Sequence, residues 1–523
     1  MSSPGQYPPF SRNLTRLLNH MKWGSQPVHY SIATDRRYDK SRGKEFHFPP
    51  WSEEASIYVH WPYCKKRCTY CNFNKYVTPT IDQDRMRSCL TREARTLIRR
   101  SGIKRVNSIF FGGGTPSLAE PRVLEGVIDA VREMVVVPTD VEITMEANPT
   151  SVEMKRLEDF KSAGINRLSL GIQALNNNDL RTLGREHTVD QSLTCIQEAR
   201  TLFPDRLSID IIFGRPSQTL NSWKAELDHI LKVCDSHISL YQLTLEPGTL
   251  LYKLDQQGVL PMPDADVMAD MYENAVERLA IAGFRRYEVS NFARDVQAES
   301  THNKAYWEGK HYIGVGPGAH GRFCPVDEVT ESIRITSKLY SQLVTCHSKG
   351  HDGARERTLH SDGNFATLST ATLQSIGHQS REQPVVVETE QSESGSKRFP
   401  SFPRREARIQ TLEPEAWMLE VEKYGHATRK RSTLSNIDTL RELLLTGLRT
   451  CRGISSQTWQ QFSPEDHPRD VFGPSFFTKG AINSGLVELD DRGLRCTHRG
   501  LNVLDSILPE LTEILDSHYD KER

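Results

Sequence analysis

Several absences narrow the class of this chain before any motif is read. Bases and acids nearly cancel, 66 Lys and Arg against 67 Asp and Glu, so no net field calls for nucleic acid or an anionic surface. No apolar run approaches the ~20 residues that span a bilayer, which leaves a soluble protein or one in peripheral contact with a membrane. Ten cysteines among 523 residues are too sparse for a secreted disulfide framework. A reducing compartment, or one compatible with a metal cluster, is expected. No Asp or Glu precedes Asp35, whereas Arg12, Arg16, Lys22 and several serines do. Phe10, Leu14, Leu17, Leu18 and Met21 fall on one helical face there, and an acid-poor, Arg-bearing amphipathic start is the composition of a mitochondrial transit peptide. Residues 1–50 are therefore expected to be an N-terminal extension with a mitochondrial address, the cytoplasm being the alternative for an ordinary tail.

One more absence is the most informative. Cys64, Cys68 and Cys71 stand together in an aromatic-rich stretch, with no fourth cysteine beside them. Three thiolates at C-x3-C-x2-C spacing hold three irons of a [4Fe–4S] cube and leave the fourth open to an exchangeable ligand, whereas an electron-transfer cluster usually takes four. A zinc site, the alternative, prefers four ligands, and His60 is the residue that would complete one. Tyr70, just before the last cysteine, is suited to cover an adenine.

From Ile57 to about Phe292, strand-like runs (57–60, 106–111, 141–147, 167–172, 207–213, 238–245) alternate with helical patterns (82–100, 121–134, 152–163, 189–202, 222–234). Successive βα units imply a parallel sheet, either curled into a full or partial barrel or opened into a doubly wound sheet. In a barrel, chemistry gathers at the C-terminal strand ends. The cysteine loop follows the first strand, and Gly112-Gly113-Gly114-Thr115-Pro116 follows the second. Glu146 ends the third, Gly171-Ile-Gln173 ends the fourth, Asp210 lies on the fifth, and Arg185 follows the fourth. Each alone reads equally well as a satisfied polar residue. Together, beside a cysteine loop, they read as a site.

These residues carry a resemblance. Tyr58-Val-His-Trp-Pro-Tyr-Cys with Cys-Thr-Tyr-Cys71 and the glycine loop resembles the radical S-adenosylmethionine superfamily, in the branch of the oxygen-independent coproporphyrinogen III oxidases and their related haem chaperones. It runs over about 55–323 and 405–515. The resemblance implies a partial (βα)6 barrel with a smaller, mainly helical, winged-helix-like C-terminal domain. It implies Cys64, Cys68 and Cys71 as cluster ligands, and Tyr58, Tyr70, Gly113, Gly114, Thr115, Glu146, Gln173, Arg185 and Asp210 as S-adenosylmethionine contacts. The oxidases have a further cysteine two residues after the third; here that position is Phe73. The chaperone pattern Cys-Asn-Phe-Asn replaces it, and His302-Asn-Lys-Ala-Tyr-Trp307 resembles the chaperones' H-N-x-x-Y-W motif. A histidine with an open nitrogen suits an axial haem ligand, with Tyr306 and Trp307 against the macrocycle. The competing reading of His302 is a histidine bridging the last barrel strand, and His320 is a second ligand candidate.

The expected organisation is thus 1–50 extension, 51–323 barrel and haem-motif loop, 324–404 low-complexity insertion and 405–517 C-terminal domain. The insertion is rich in Ser, Thr, His, Gln and Glu with little apolar periodicity, a composition that buries too little surface to order itself. In the C-terminal domain, 434–448 reads as a helix, 485–495 as a hairpin turning at 490–493, and 501–515 as a helix on each side of a break at Pro509. The favoured function is a haem chaperone with a [4Fe–4S] cluster and S-adenosylmethionine. It would deliver haem to recipient haem proteins, with cluster and cofactor gating transfer or homodimer formation. The alternative is an enzyme that cleaves S-adenosylmethionine to oxidise or decarboxylate a porphyrinogen.

Overall fold

A computed structural model describes residues 53–150, 153, 155–326 and 405–520. The transit-peptide reading and nearly all of the insertion reading lie outside these residues. Strands β1 (Glu54–Trp61), β2 (Arg105–Gly113), β3 (Glu142–Ala147), β4 (Arg167–Gln173), β5 (Leu207–Phe213) and β6 (His237–Gln242) pair in parallel, each with its successor. After β7 (Arg285–Arg286) and β8 (Asn291–Ala293), β9 (His311–Val315) returns to lie parallel to β1. β10 (His320–Phe323), β11 (Glu406–Gln410) and β12 (Thr428–Thr433) extend that side by antiparallel pairing. The order is β12-β11-β10-β9-β1-β2-β3-β4-β5-β6-β8-β7. β1 and β6 do not pair, so the parallel sheet stays open, the architecture expected of a partial barrel.

Local chemistry fixes the crossover helices. Gln83–Ser101 starts where the Asp82 carboxylate accepts the Arg85 amide at 2.9 Å and stops at Gly102, whose φ of 65° continues the chain at little steric cost. Val189–Leu202 opens with a Thr188–Gln191 capping box. Odd-numbered apolar residues of β1 and β2, such as Ile57, Val59, Ile109 and Phe111, are buried in the main core. The alternate residues face inward and are largely polar or aromatic, Ser56, Tyr58 and His60 beside Ser108 and Phe110.

Three boundaries depart from the sequence reading. β6 ends at Gln242 rather than Leu245, because the chain leaves the sheet and Leu243 joins a small apolar cluster with Leu183, Ile212 and Leu251. Residues 405–433 belong to the barrel sheet and not to the C-terminal domain. β11 pairs with β10, and the helix Pro414–Tyr424 packs Trp417, Met418 and Val421 into the barrel core. The C-terminal module has its own core from Leu440 onward, around Leu444, Trp459, Phe472 and Leu511. It carries a three-stranded sheet in which β13 (Ile454–Ser455) and β14 (Val487–Asp490) flank β15 (Gly493–Cys496), so the expected helix and hairpin are both present. Finally, Leu504–Asp520 runs unbroken through Pro509. Leu508, Leu511 and Leu515 bury one face while Asp505 and Pro509 lie on the exposed one, where water can take the carbonyl that proline leaves unpaired.

Candidate active site

The cysteine loop lies at the C-terminal ends of the strands, folded onto the barrel by backbone bonds. The Cys64 amide donates to Tyr76 O at 2.9 Å, the Thr69 amide to Leu183 O at 3.1 Å, and the Leu251 amide to Thr69 O at 2.9 Å. Thr115 Oγ1 donates to Cys64 Sγ at 3.4 Å, and Arg185 Nη1 to Cys68 Sγ at 3.3 Å. Lys75 Nζ donates to the Cys71 carbonyl. Burial raises the Cys64 thiol pKa, and the Thr115 hydroxyl opposes that shift. All three cysteines line one cavity of about 440 Å³.

The same cavity gathers most of the residues the sequence singled out. Tyr70, Gly113, Gly114, Thr115, Glu146, Gln173, Arg185 and Asp210 line it with the cysteines. Gly113 has a φ of 110°, and a Cβ there would stand 2.5 Å from the His60 ring, so no other residue fits. Its amide donates to Glu146 Oε2 at 3.1 Å. Burial first, then the charge of Asp210, pushes the Glu146 carboxyl up to about 8. Asp210 itself rises to about 6 by burial, although it accepts Ser169 Oγ at 2.9 and 3.1 Å. Two buried acids sharing one cavity call for a cation. Gln173 adopts a φ of 66° at the end of β4. For a non-glycine this costs on the order of 1 kcal/mol, the kind of strain concentrated at functional sites.

Tyr58 and His302 stand elsewhere. Tyr58 does not line the cavity; its hydroxyl bonds His60 Nδ1 at 3.0 Å. His302 is 2 % exposed on the helix Thr301–Trp307. Its ring stacks on Phe110 with centroids 4.6 Å apart, and Nδ1 lies 3.2 Å from Ser108 Oγ. Burial lowers its pKa to about 3. Tyr306 packs edge-on against His302 and Tyr312, and Arg449 covers the Trp307 ring. In this conformation Nδ1 faces Ser108, and the Tyr306 and Trp307 rings are packed against His302, Tyr312 and Arg449; the histidine bridges its helix to β2, not to the last barrel strand. The motif's letters say nothing about which way the helix turns, and here Glu142 turns it inward by capping it. His320, in contrast, is exposed.

The donor set suits a cube with an open iron. Three thiols from one loop face the cavity, with the arginine and threonine hydrogen bonds that thiolates accept. Zinc is the poorer fit. His60 is buried and spends both nitrogens on Tyr58 and the Asn74 carbonyl. Among the described residues no group of three or more His, Cys, Asp or Glu is placed to ligate one ion. Sequence reasoning missed Asn148, Ser169, Lys75 and Tyr241, the last 43 % exposed at the rim. Ser169 was detectable as the polar alternate of a barrel strand. Lys75 and Asn148 carry no comparable signal.

The fold and this site define a radical S-adenosylmethionine protein. Residues 58–230 match the model of the radical SAM superfamily, and 434–503 that of the HemN C-terminal domain. The chain belongs to the family of the radical S-adenosyl methionine domain-containing protein 1. It is 44% identical over 472 residues to the mitochondrial member from Bos taurus, covering 90% of each chain. It is also 36% identical over 267 residues to the heme chaperone HemW of Bacillus subtilis, covering 51% of this chain and 70% of that one. Coproporphyrinogen III oxidase (HemN) from Escherichia coli shares the fold with a TM-score of 0.61 at 19% identity, over 90% of this chain and 91% of that one. The mitochondrial address expected from the N-terminal composition agrees with the names of the mammalian and fish relatives.

Proposed function

We propose that the protein is a mitochondrial haem chaperone that holds a [4Fe–4S] cluster and S-adenosylmethionine and hands haem to recipient haem proteins. The observation that carries the reading is the mouth itself. A cavity lined by the three cysteines and all but one of the expected cofactor contacts is rimmed by Phe73, 62 % exposed, where the related oxidases have a cysteine. The similarity to proteins named heme chaperone supports the same reading. Cys64, Cys68 and Cys71 would hold the cluster, whose open iron supplies a binding point for the cofactor. Glu146 would take the cofactor's ammonium, with Gly113, Gly114, Thr115, Tyr70, Gln173, Arg185 and Asp210 shaping the rest. Arg185, bonded to Cys68 Sγ, Gly171 O and Asn148 Oδ1, would hold the second cysteine against the end of β4. Tyr58 would act from behind, through His60.

For haem we propose the H-N-x-x-Y-W helix, with His302 as axial ligand once that helix swings off Phe110. Haemin titration in the Soret region tests this on wild type, His302→Ala and His320→Ala. Saturable binding lost only in His302→Ala supports the assignment. Loss only in His320→Ala moves the ligand to the exposed histidine, and no saturable binding by wild type removes the chaperone reading. The second reading, a porphyrinogen-oxidising enzyme, is favoured by the fully furnished cavity and strained Gln173. Anaerobic consumption of S-adenosylmethionine with added porphyrinogen would support it.

A further inference from the structure

His60 does not line the cavity, yet its imidazole touches three segments that frame it. Nε2 lies 2.8 Å from the carbonyl oxygen of Asn74, three residues after the last cysteine. A carbonyl only accepts, so Nε2 carries the proton and donates. In a neutral ring Nδ1 is then the acceptor, and the Tyr58 hydroxyl 3.0 Å away donates to it. Gly113 lies directly against the ring; a Cβ there would meet Cε1, Nδ1 and Nε2 at 2.5, 2.6 and 2.8 Å. The backbone of His60 is just as closely covered, since a Cβ at Gly316 would stand 2.4 Å from its carbonyl oxygen.

Both neighbours pass the contact on. Asn74 donates its side-chain amide to Pro317 O at 3.0 Å and Leu412 O at 2.9 Å, which closes the cysteine loop onto β9, β10 and β11. Tyr58 stacks on Phe110 and His302, both with centroids 6.2 Å away. One ring therefore stands between the cysteine loop, the glycine loop whose amide holds Glu146, and the aromatic stack under the H-N-x-x-Y-W helix.

We infer that His60 is a positioning residue that sets the cysteine loop against the glycine loop and ties both to the ring stack of His302. Filling the cofactor cavity and displacing the Thr301–Trp307 helix then act on each other through this imidazole. The inference rests on the cluster and cofactor site proposed above. A purely structural histidine would cost stability when removed but would leave the cavity unchanged in every molecule that folds.

The test uses the full chain, first metal-free and then reconstituted anaerobically. In metal-free protein, hydrogen exchange at the Cys64 and Tyr76 amides reads loop position without any cluster. His60→Ala should speed it at least tenfold. His60→Gln, whose amide can still donate to Asn74 O, should recover most of the protection. In reconstituted protein His60→Ala should keep its iron, bind S-adenosylmethionine at least tenfold more weakly and lose the cofactor-induced change in the reduced cluster's electron paramagnetic resonance. Tyr58→Phe removes only the hydroxyl. It should leave loop exchange near wild type but abolish the slowing of exchange in Thr301–Trp307 that the cofactor causes in wild type. Wild-type loop exchange and affinity in His60→Ala would overturn the inference. So would equal defects in His60→Ala and His60→Gln that only follow thermal stability. Failure of wild type to hold iron would instead overturn the proposed site, with the metal-free exchange still deciding the role of His60 in placing the loop.

Discussion

Glu142 and Glu146 lie four residues apart on β3, on the same inward face, and differ in their partners. Glu142 accepts the Thr301 and His302 amides at 3.0 and 3.1 Å and the Ser300 hydroxyl at 3.4 Å, with Arg167 3.7 Å away. It is a cap and a counter-ion with its bonding capacity filled. Glu146 has one donor, the Gly113 amide, and a neighbouring Asp210 that repels it. The bonding capacity of the carboxylate at the base of the barrel is met, and that of the carboxylate at the mouth is not. Burial alone does not mark a functional acid; burial with unmet bonding capacity facing a cavity does.

The sharpest break of this comparison removes a thiol at the mouth. Cys71→Ala should abolish the absorbance near ~400 nm of anaerobically reconstituted protein while leaving the thermal midpoint of the metal-free chain within a degree or two of wild type. A full cluster in that variant would withdraw Cys71 as a ligand. Next in size is the exchange of roles along β3. Glu142→Ala strands a buried arginine and three donors, and should cost about 3–5 kcal/mol, read as a large drop in midpoint or in soluble yield. Glu146→Gln should do the reverse. Its stability should match wild type or exceed it above neutral pH, while its S-adenosylmethionine affinity falls at least tenfold in calorimetry with iron content unchanged. If the two variants behave alike, the division into mouth and base is wrong.

Much of the mouth was legible because its chemistry dictates spacing. Three cysteines at C-x3-C-x2-C spacing necessarily share one short loop, and strand alternation places Glu146 and Asp210 on the inward face. The six parallel strands were legible for a similar reason, each being an apolar run bounded by a helical pattern. What could not be read depends on partners distant in sequence. β11 rejoins the barrel through pairs such as Phe323 with Glu406, and the intervening 80 or so residues hide that return. Nothing in His302-Asn-Lys-Ala-Tyr-Trp307 reveals that Glu142, 160 residues earlier, caps its helix and holds the histidine against Ser108. His60 looked like a spare zinc ligand because both its partners, Tyr58 and the Asn74 carbonyl, depend on the folded loop.

The smallest predicted effect is also the finest probe of the contrast between the two acids. The Glu146 carboxyl titrates at about 8 in the folded chain against an ordinary value of 4.5, so between those values the folded state binds the extra proton. Its contribution to stability is full below the unfolded value and is lost as pH rises through about 8. Metal-free wild type should therefore lose midpoint as pH rises from about 5 to 8 and level off above it, and Glu146→Gln should lose less over that interval. Cofactor binding runs the opposite way. A ligand ammonium needs the carboxylate, so below pH 8 each binding event must expel the Glu146 proton. Affinity should rise about tenfold from pH 6 to pH 7, where a ligand amine stays protonated and only the protein titrates. Asp210, raised to about 6, adds to the slope at the acid end. In Glu146→Gln the affinity, already weak, should lose most of this dependence. A wild-type affinity flat across that interval would mean that Glu146 is not the ammonium's partner, and that its single hydrogen bond to Gly113 serves the loop alone.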